Sequence, residues 1–248
     1  MWARIFVFSF LFSSLSAKIA SLDLCADQWV LGLVEKKEIY AVSCLAKEVD
    51  LSYLAQKAEN IKTHTGSPEE FLDPSIRTII GYEPISPLLK KILKKRKVTL
   101  ITLKHPDSFQ KLKSQITLLT KIFKKESLGE KWIHLLSKKY PLPKKNAAFY
   151  GAQGLCPGGK TLFSDSLKAA GYQNIYRYKK GWTYNSLESL LLAPLSILFL
   201  STPPDAHPLW GYLKKKTVLK ILPRRLTLCS YPPAIFDLIQ VLGDSHHA

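Results

Sequence analysis

Apolar positions along this chain alternate between two periods, and one long stretch of helical spacing separates the two alternating halves. In the first half, short apolar runs at 18–22, 39–43, 76–81 and 98–103 read as buried strands. Between them lie segments with helical spacing: 25–34, 51–58, and a lysine-rich stretch before residue 98. Ser67-Pro68-Glu69-Glu70 reads as a helix start, with a capping serine, proline at the first position and acids in the first turn. Such alternation predicts an α/β layer with a mostly parallel sheet.

From 107 to 140 the pattern changes. Phe109, Leu112, Ile116, Leu119, Ile122 and Phe123 recur at helical spacing, and Leu128, Trp132, Leu135 and Leu136 continue it. An unbroken helix of that length would be about 50 Å long. Gly129 is the expected bend, and Pro141 and Pro143 the expected end. So long a helix suits a spine between two lobes. The second half then resumes the alternation. Strands are expected at 147–151, 197–201 and 226–230, and helices at 162–170 (ended by Gly171), 186–192 and 234–242. A glycine-rich turn fills 153–159. The expected fold is α/β: two Rossmann-like lobes, 18–106 and 141–248, joined by one interlobe helix at 107–140, with a cleft between the lobes.

The first residues change where this chain is expected to work. Arg4, an apolar run over 5–15, and then Ser16 and Ala17 follow the order of an export signal, cleaved near Ala17. The run is short for a membrane span. The mature protein is therefore expected to be exported and soluble. An even cysteine count in an exported chain favours disulfides. Cys25, Cys44, Cys156 and Cys229 allow three pairings, and one bridge within each half is the simplest expectation. They show no zinc-ligand spacing, and no cofactor is implied. The formal charge of +17 comes largely from lysines clustered at 90–97, 121–125, 144–145 and 214–216. A solvated lysine coat explains them. The alternative is a basic binder of nucleic acid or an anionic surface, which the lack of interleaved aromatics opposes.

Enzyme signatures are missing: no phosphate loop with its lysine, no Gly-x-Ser-x-Gly, no His-Glu-x-x-His. What the chain does carry is a set of segments in order. Lys18-Ile-Ala-Ser-Leu-Asp-Leu-Cys-Ala-Asp-Gln28 opens it, followed by Gly66-Ser-Pro-Glu69 and Arg77-Thr-Ile-Ile-Gly81. Gly154-Leu-Cys-Pro-Gly-Gly-Lys-Thr-Leu162, Leu167-Lys-Ala-Ala-Gly-Tyr-Gln-Asn174, Gly181-Trp182 with Leu187-Glu188, and Cys229-Ser-Tyr-Pro-Pro233 complete it. In that order they resemble the helical-backbone (class III) solute-binding proteins of ABC importers for cobalamin and ferric siderophores.

The resemblance implies a monomeric periplasmic binding protein, not an enzyme. It would capture a metal chelate (a corrinoid, a ferric siderophore or haem) and deliver it to an importer permease. Loops after strands would line the cleft: Leu24, Cys25, Ser43, Cys44, Tyr82, Glu83 and His105 from the first lobe, and Gln153, Cys156, Trp182, Thr202 and Tyr231 from the second. Two readings of Trp182 stay open, cleft wall and core packing. Glu69 and Glu188, one on each lobe, would meet the permease. His246-His247 reads as a tail rather than a metal site.

Overall fold

The computed structural model describes residues 17–138 and 145–246. The expected export segment up to Ser16, together with Pro141, Pro143 and His247, lies outside the described residues.

The first lobe runs β1 (Lys18–Ser21), α1 (Leu24–Leu33), β2 (Ile39–Ser43), β3 (Thr63–His64), β4 (Ile76–Tyr82), α2 (Pro87–Lys95) and β5 (Thr99–Leu103). Its sheet is parallel in the order β3-β2-β1-β4-β5. Strand order reverses between β1 and β4, which opens a crevice at their carboxyl ends. Asp23 closes that crevice. It caps α1 by accepting from the N–H groups of Cys25 and Ala26, both at 3.0 Å, and accepts from the Tyr82 N–H at 2.7 Å. Two expected helices shrink to single 3-10 turns, Ala55–Ala58 and Pro68–Phe71. The second stops early because Pro74 disfavours helical backbone at Asp73.

The expected spine at 107–140 is instead two helices, α3 (Phe109–Ile122) and α4 (Glu126–Leu136). Lys124 adopts a left-handed φ of 54°. The Lys125 N–H donates back to the Thr120 carbonyl at 2.7 Å, which closes the helix end in the manner of a Schellman turn. Gly129 does not bend the helix. It lies in α4 against Thr120 of α3, where an added β-carbon would sit 2.4 Å from the threonine hydroxyl. In one continuous helix those two residues would be about 13 Å apart along the axis, so α4 folds back on α3.

The second lobe runs β6 (Lys145–Tyr150), β7 (Leu155–Pro157), α5 (Leu162–Ala169), β8 (Tyr172–Asn174), β9 (Trp182–Tyr184), α6 (Leu187–Leu192), β10 (Ile197–Leu200), α7 (Leu209–Lys216), β11 (Val218–Ile221), α8 (Arg224–Thr227) and α9 (Pro232–Gly243). Its main sheet is parallel in the order β11-β10-β6-β8, and β7 and β9 form a separate antiparallel ribbon. The strand expected at 226–230 is absent. Leu226 reaches the core from α8, and the edge position is taken by β11, whose Lys220 disguised it as surface.

One contiguous apolar cluster runs from Trp29, Val42 and Ile80 through Trp132 to Phe149, Phe163, Phe199 and Leu238. The two lobes therefore share a core. Lysines occupy the last turns of α2, α3 and α7 (Lys94 and Lys95, Lys121, Lys214 to Lys216), where they complement the negative helix ends.

Candidate functional site

A cleft of about 400 Å³ opens between the lobes. The first lobe contributes the loop after β5, His105 to Asp107. The second contributes the start of α5 (Lys160 to Phe163), the entry to β9 (Lys180 to Trp182) and the segment 226–230. The wall is mainly apolar, with Leu162, Phe163, Leu226, Leu228 and Trp182. Trp182 is 49% exposed and sits edge-on to Phe149 at 6.4 Å, so it is a wall residue rather than a core one. The His105 ring stacks on Tyr82 at 4.4 Å. Desolvation holds its pKa below the usual histidine value, which favours the neutral imidazole.

Behind this cleft the lobes are joined by polar groups. The Tyr82 hydroxyl accepts from Trp29 Nε1 at 3.0 Å and from Gln115 Nε2 at 2.7 Å, and lies 3.4 Å from the Ser230 hydroxyl. Tyr231 packs edge-on against Trp29 and Trp132, both at 5.7 Å. Its ring covers Gly32 of α1, where an added β-carbon would lie 2.2 Å from the phenol oxygen. Tyr53 donates to Asp237 at 2.7 Å, and the Phe109 N–H donates to Asp165 at 2.8 Å.

Cys25 is bonded to Cys229. This corrects the expectation of one bridge per half. Cys44 is free and exposed, and Cys156 is free and buried in the second-lobe core. The physical reason is packing: α1 and the 228–231 segment are pressed together by the shared core, while Cys44 opens a 3-10 turn at the protein surface.

Of the residues picked from sequence, the structure brings His105 and Trp182 together at the cleft, with the Cys25 disulfide partner in its wall. Leu24 lies half-buried beside Cys25 in the first turn of α1. Glu83 pairs with Lys104 at 3.7 Å and does not line the cleft. Tyr82 and Tyr231 belong to the buried joint described above. Ser43 serves a buried carboxylate: its hydroxyl and N–H donate to Asp27 at 2.5 and 3.0 Å. Gln153 and Thr202 are exposed and do not line the cleft. Sequence reasoning passed over Lys160 and Lys180. Their signal is local, since each stands beside a glycine in a turn that must present its side chain outward.

No family model matches the sequence, and no curated protein does. Solved structures do match across nearly the whole chain. One is described as a possible iron-binding, periplasmic solute-binding protein of Staphylococcus epidermidis, with TM-score 0.72 and 16% identity over 94% of this chain and 99% of that one. The periplasmic heme-binding protein HutB of Vibrio cholerae matches with TM-score 0.71 and 15% identity, over 92% and 99% of the two chains. The vitamin B12-binding protein BtuF of Vibrio cholerae matches with TM-score 0.65 and 16% identity, over 92% and 95%. The chain thus has the α/β fold of the two-lobed periplasmic solute-binding proteins. Within that class, the structures it resembles include heme- and B12-binding proteins and a possible iron-binding one, and also the molybdate-binding protein MolA of Haemophilus influenzae, with TM-score 0.70 and 16% identity over 93% of this chain and 86% of that one.

Proposed function

We propose that this chain is the extracytoplasmic solute-binding component of an ABC importer, and that it captures a metal chelate: haem, a ferric siderophore or a corrinoid. The observation that carries the reading is the interlobe cleft. It is concave and largely apolar, and it carries a few polar groups at its edge, which suits a broad ligand with a polar rim. The neutral imidazole of His105 is a lone-pair donor available to a bound chelate. Glu69 and Glu188, exposed at the first turns of their elements, form the docking points for the permease in this reading.

The test uses the purified protein and Trp182 as reporter. Haem, cobalamin and several ferric siderophores are titrated while tryptophan emission is followed, and absorbance of the protein as isolated identifies any ligand carried along. Quenching with one of these chelates is expected, and its amplitude should fall in Trp182→Phe, with the remainder coming from the buried Trp29, Trp132 and Trp210. Binding no tighter than about 100 μM for every chelate would overturn the reading.

A further inference from the structure

Two lysines stand at the cleft without an acid. Lys160 and Lys180 line it from adjacent segments at the root of the β7–β9 ribbon, and neither makes an ion pair among the described residues. Their neighbours differ. Lys179 is committed to Asn185 at 2.5 Å and lies over the Tyr176 ring. The carboxylate among the described lining residues, Asp107, is held by Lys111 at 2.5 Å. The cleft therefore carries uncompensated positive charge along its second-lobe edge, beside an apolar wall.

The backbone fixes that edge. Gly158 N–H donates to the Gly181 carbonyl at 2.7 Å, and Gly181 N–H donates to the Gly159 carbonyl at 2.9 Å. A β-carbon at Gly159 would sit 2.1 Å from the Arg177 carbonyl oxygen, so the two segments can approach this closely only with glycine there. Lys160 follows with a left-handed φ of 55°. Thr161 then turns the chain into α5, its hydroxyl accepting from the Ser164 N–H at 3.2 Å, so the positive end of α5 also faces the cleft.

Given the chelate-binding reading above, we infer that the ligand is anionic and that Lys160 and Lys180 select it by pairing with carboxylate or catecholate oxygens at its rim. A neutral chelate would leave both ammonium groups beside a covered apolar face with nothing to replace lost water.

Matched probes test this. Iron protoporphyrin IX is compared with its dimethyl ester, and an anionic ferric tricatecholate with a neutral ferric trihydroxamate, on the wild-type protein and on K160A/K180A. Lys214→Ala on α7, which lines no part of this cleft, is the charge control. The anionic member of whichever pair binds should bind about tenfold tighter or more, with affinity falling as salt rises. The double variant should lose that preference while neutral-ligand affinity changes by less than about twofold, and K214A should keep it. Equal affinity for both members on the wild-type protein, which needs no variant to fold, overturns the inference and leaves chelate capture standing. So does equal weakening of both members in the double variant. If no probe binds, chelate capture fails and the inference falls with it.

Discussion

Cys25, in the first turn of α1, and Cys229, just before α9, are joined by a disulfide with their Cα atoms 5.1 Å apart. The bond lies where Tyr231 covers α1 and where Cys229 lines the cleft, so it fixes the lobes to each other beside the cleft. A hinge motion of the lobes must pivot about this point. The cleft is then expected to admit its ligand by small movements of the 105–107 and 180–182 loops rather than by wide opening.

The bond closes a loop of 204 residues, for which lost chain entropy in the unfolded state is worth on the order of 5 kcal/mol. Replacing both cysteines by serine should lower the denaturation midpoint without abolishing the fold, because the aromatic joint around Trp29 and Tyr231 remains. Non-reducing peptide mapping should recover the 25–229 pair. One thiol, Cys44, should alkylate in the native protein, and Cys156 only in denaturant. Burial raises the Cys156 thiol pKa to about 11, which also suppresses its thiolate. Recovery of a 25–44 peptide instead would contradict the packing.

Asp27 predicts a pH dependence of stability. It is fully buried, and desolvation raises its pKa from 3.8 to about 6 despite hydrogen bonds from Ser21 and Ser43. The unfolded chain releases this proton first, so stability is lost as pH rises from about 4 to 6, by roughly 3 kcal/mol for this group alone. Buried His64, whose Nε2 contacts the Ser21 carbonyl, works in the opposite sense. Its pKa is lowered, so protonation on acidification favours unfolding. Asp27→Asn separates the two. The variant should lose the decline between about pH 4 and 6 while keeping the histidine-linked loss at low pH. An unchanged profile of unfolding free energy against pH would remove Asp27 from the account.

Tyr82→Phe strips one oxygen from the interlobe joint. Trp29 Nε1 and Gln115 Nε2 then lose a buried acceptor, at a cost of about 1–3 kcal/mol. His105 keeps its aromatic platform, so chelate affinity should change little. Chemical denaturation together with the Trp182 titration reads both effects. A variant as stable as wild type would show that water replaces the hydroxyl.

Glu69 and Glu188 share one local arrangement, which makes them testable as a pair. Glu69 accepts a hydrogen bond from the Ser67 hydroxyl, and Glu188 is likewise set by Ser186. Both carboxyls are held below the usual glutamate pKa by these bonds and stay ionised. The left-handed φ of 97° at Gly66 turns the chain into the Pro68–Phe71 element that carries Glu69. Glu70, by contrast, spends its carboxylate on the N–H groups of Thr65, Gly66 and Ser67, which leaves Glu69 as the acid free to meet a partner. Replacing Glu69 and Glu188 by lysine should leave chelate binding intact and impair uptake in cells, most in the double variant. Normal uptake by that variant would sink the docking role.

The sequence exposed the parts of this structure that rest on uninterrupted apolar patterns. Ile197–Leu200 is a four-residue apolar run and is the buried strand β10, flanked on both sides. The apolar spacing from Leu112 to Leu119 is α3. Features decided by tertiary contact were not readable in that way. Nothing in the composition of Phe123-Lys124-Lys125 marks a helix break, because the left-handed turn at Lys124 is held by α4 packing back on α3. Cysteine spacing could not single out the 25–229 pair, since the two meet only once the lobes share a core. His105 and Trp182 could be picked as loop residues after strands, whereas Lys160 and Lys180 gained meaning only when the glycine turns placed them on one edge.

The shared core also limits how this chain can be taken apart. Trp29 and Val30 from one end, Trp132 from the middle, and Ile235 and Leu238 from the other end belong to one apolar cluster. Neither half can bury its share alone, so a chain divided after α4 yields two pieces that each present a sticky apolar face. They are complementary fragments rather than independent domains, and heat should melt the intact protein in a single transition.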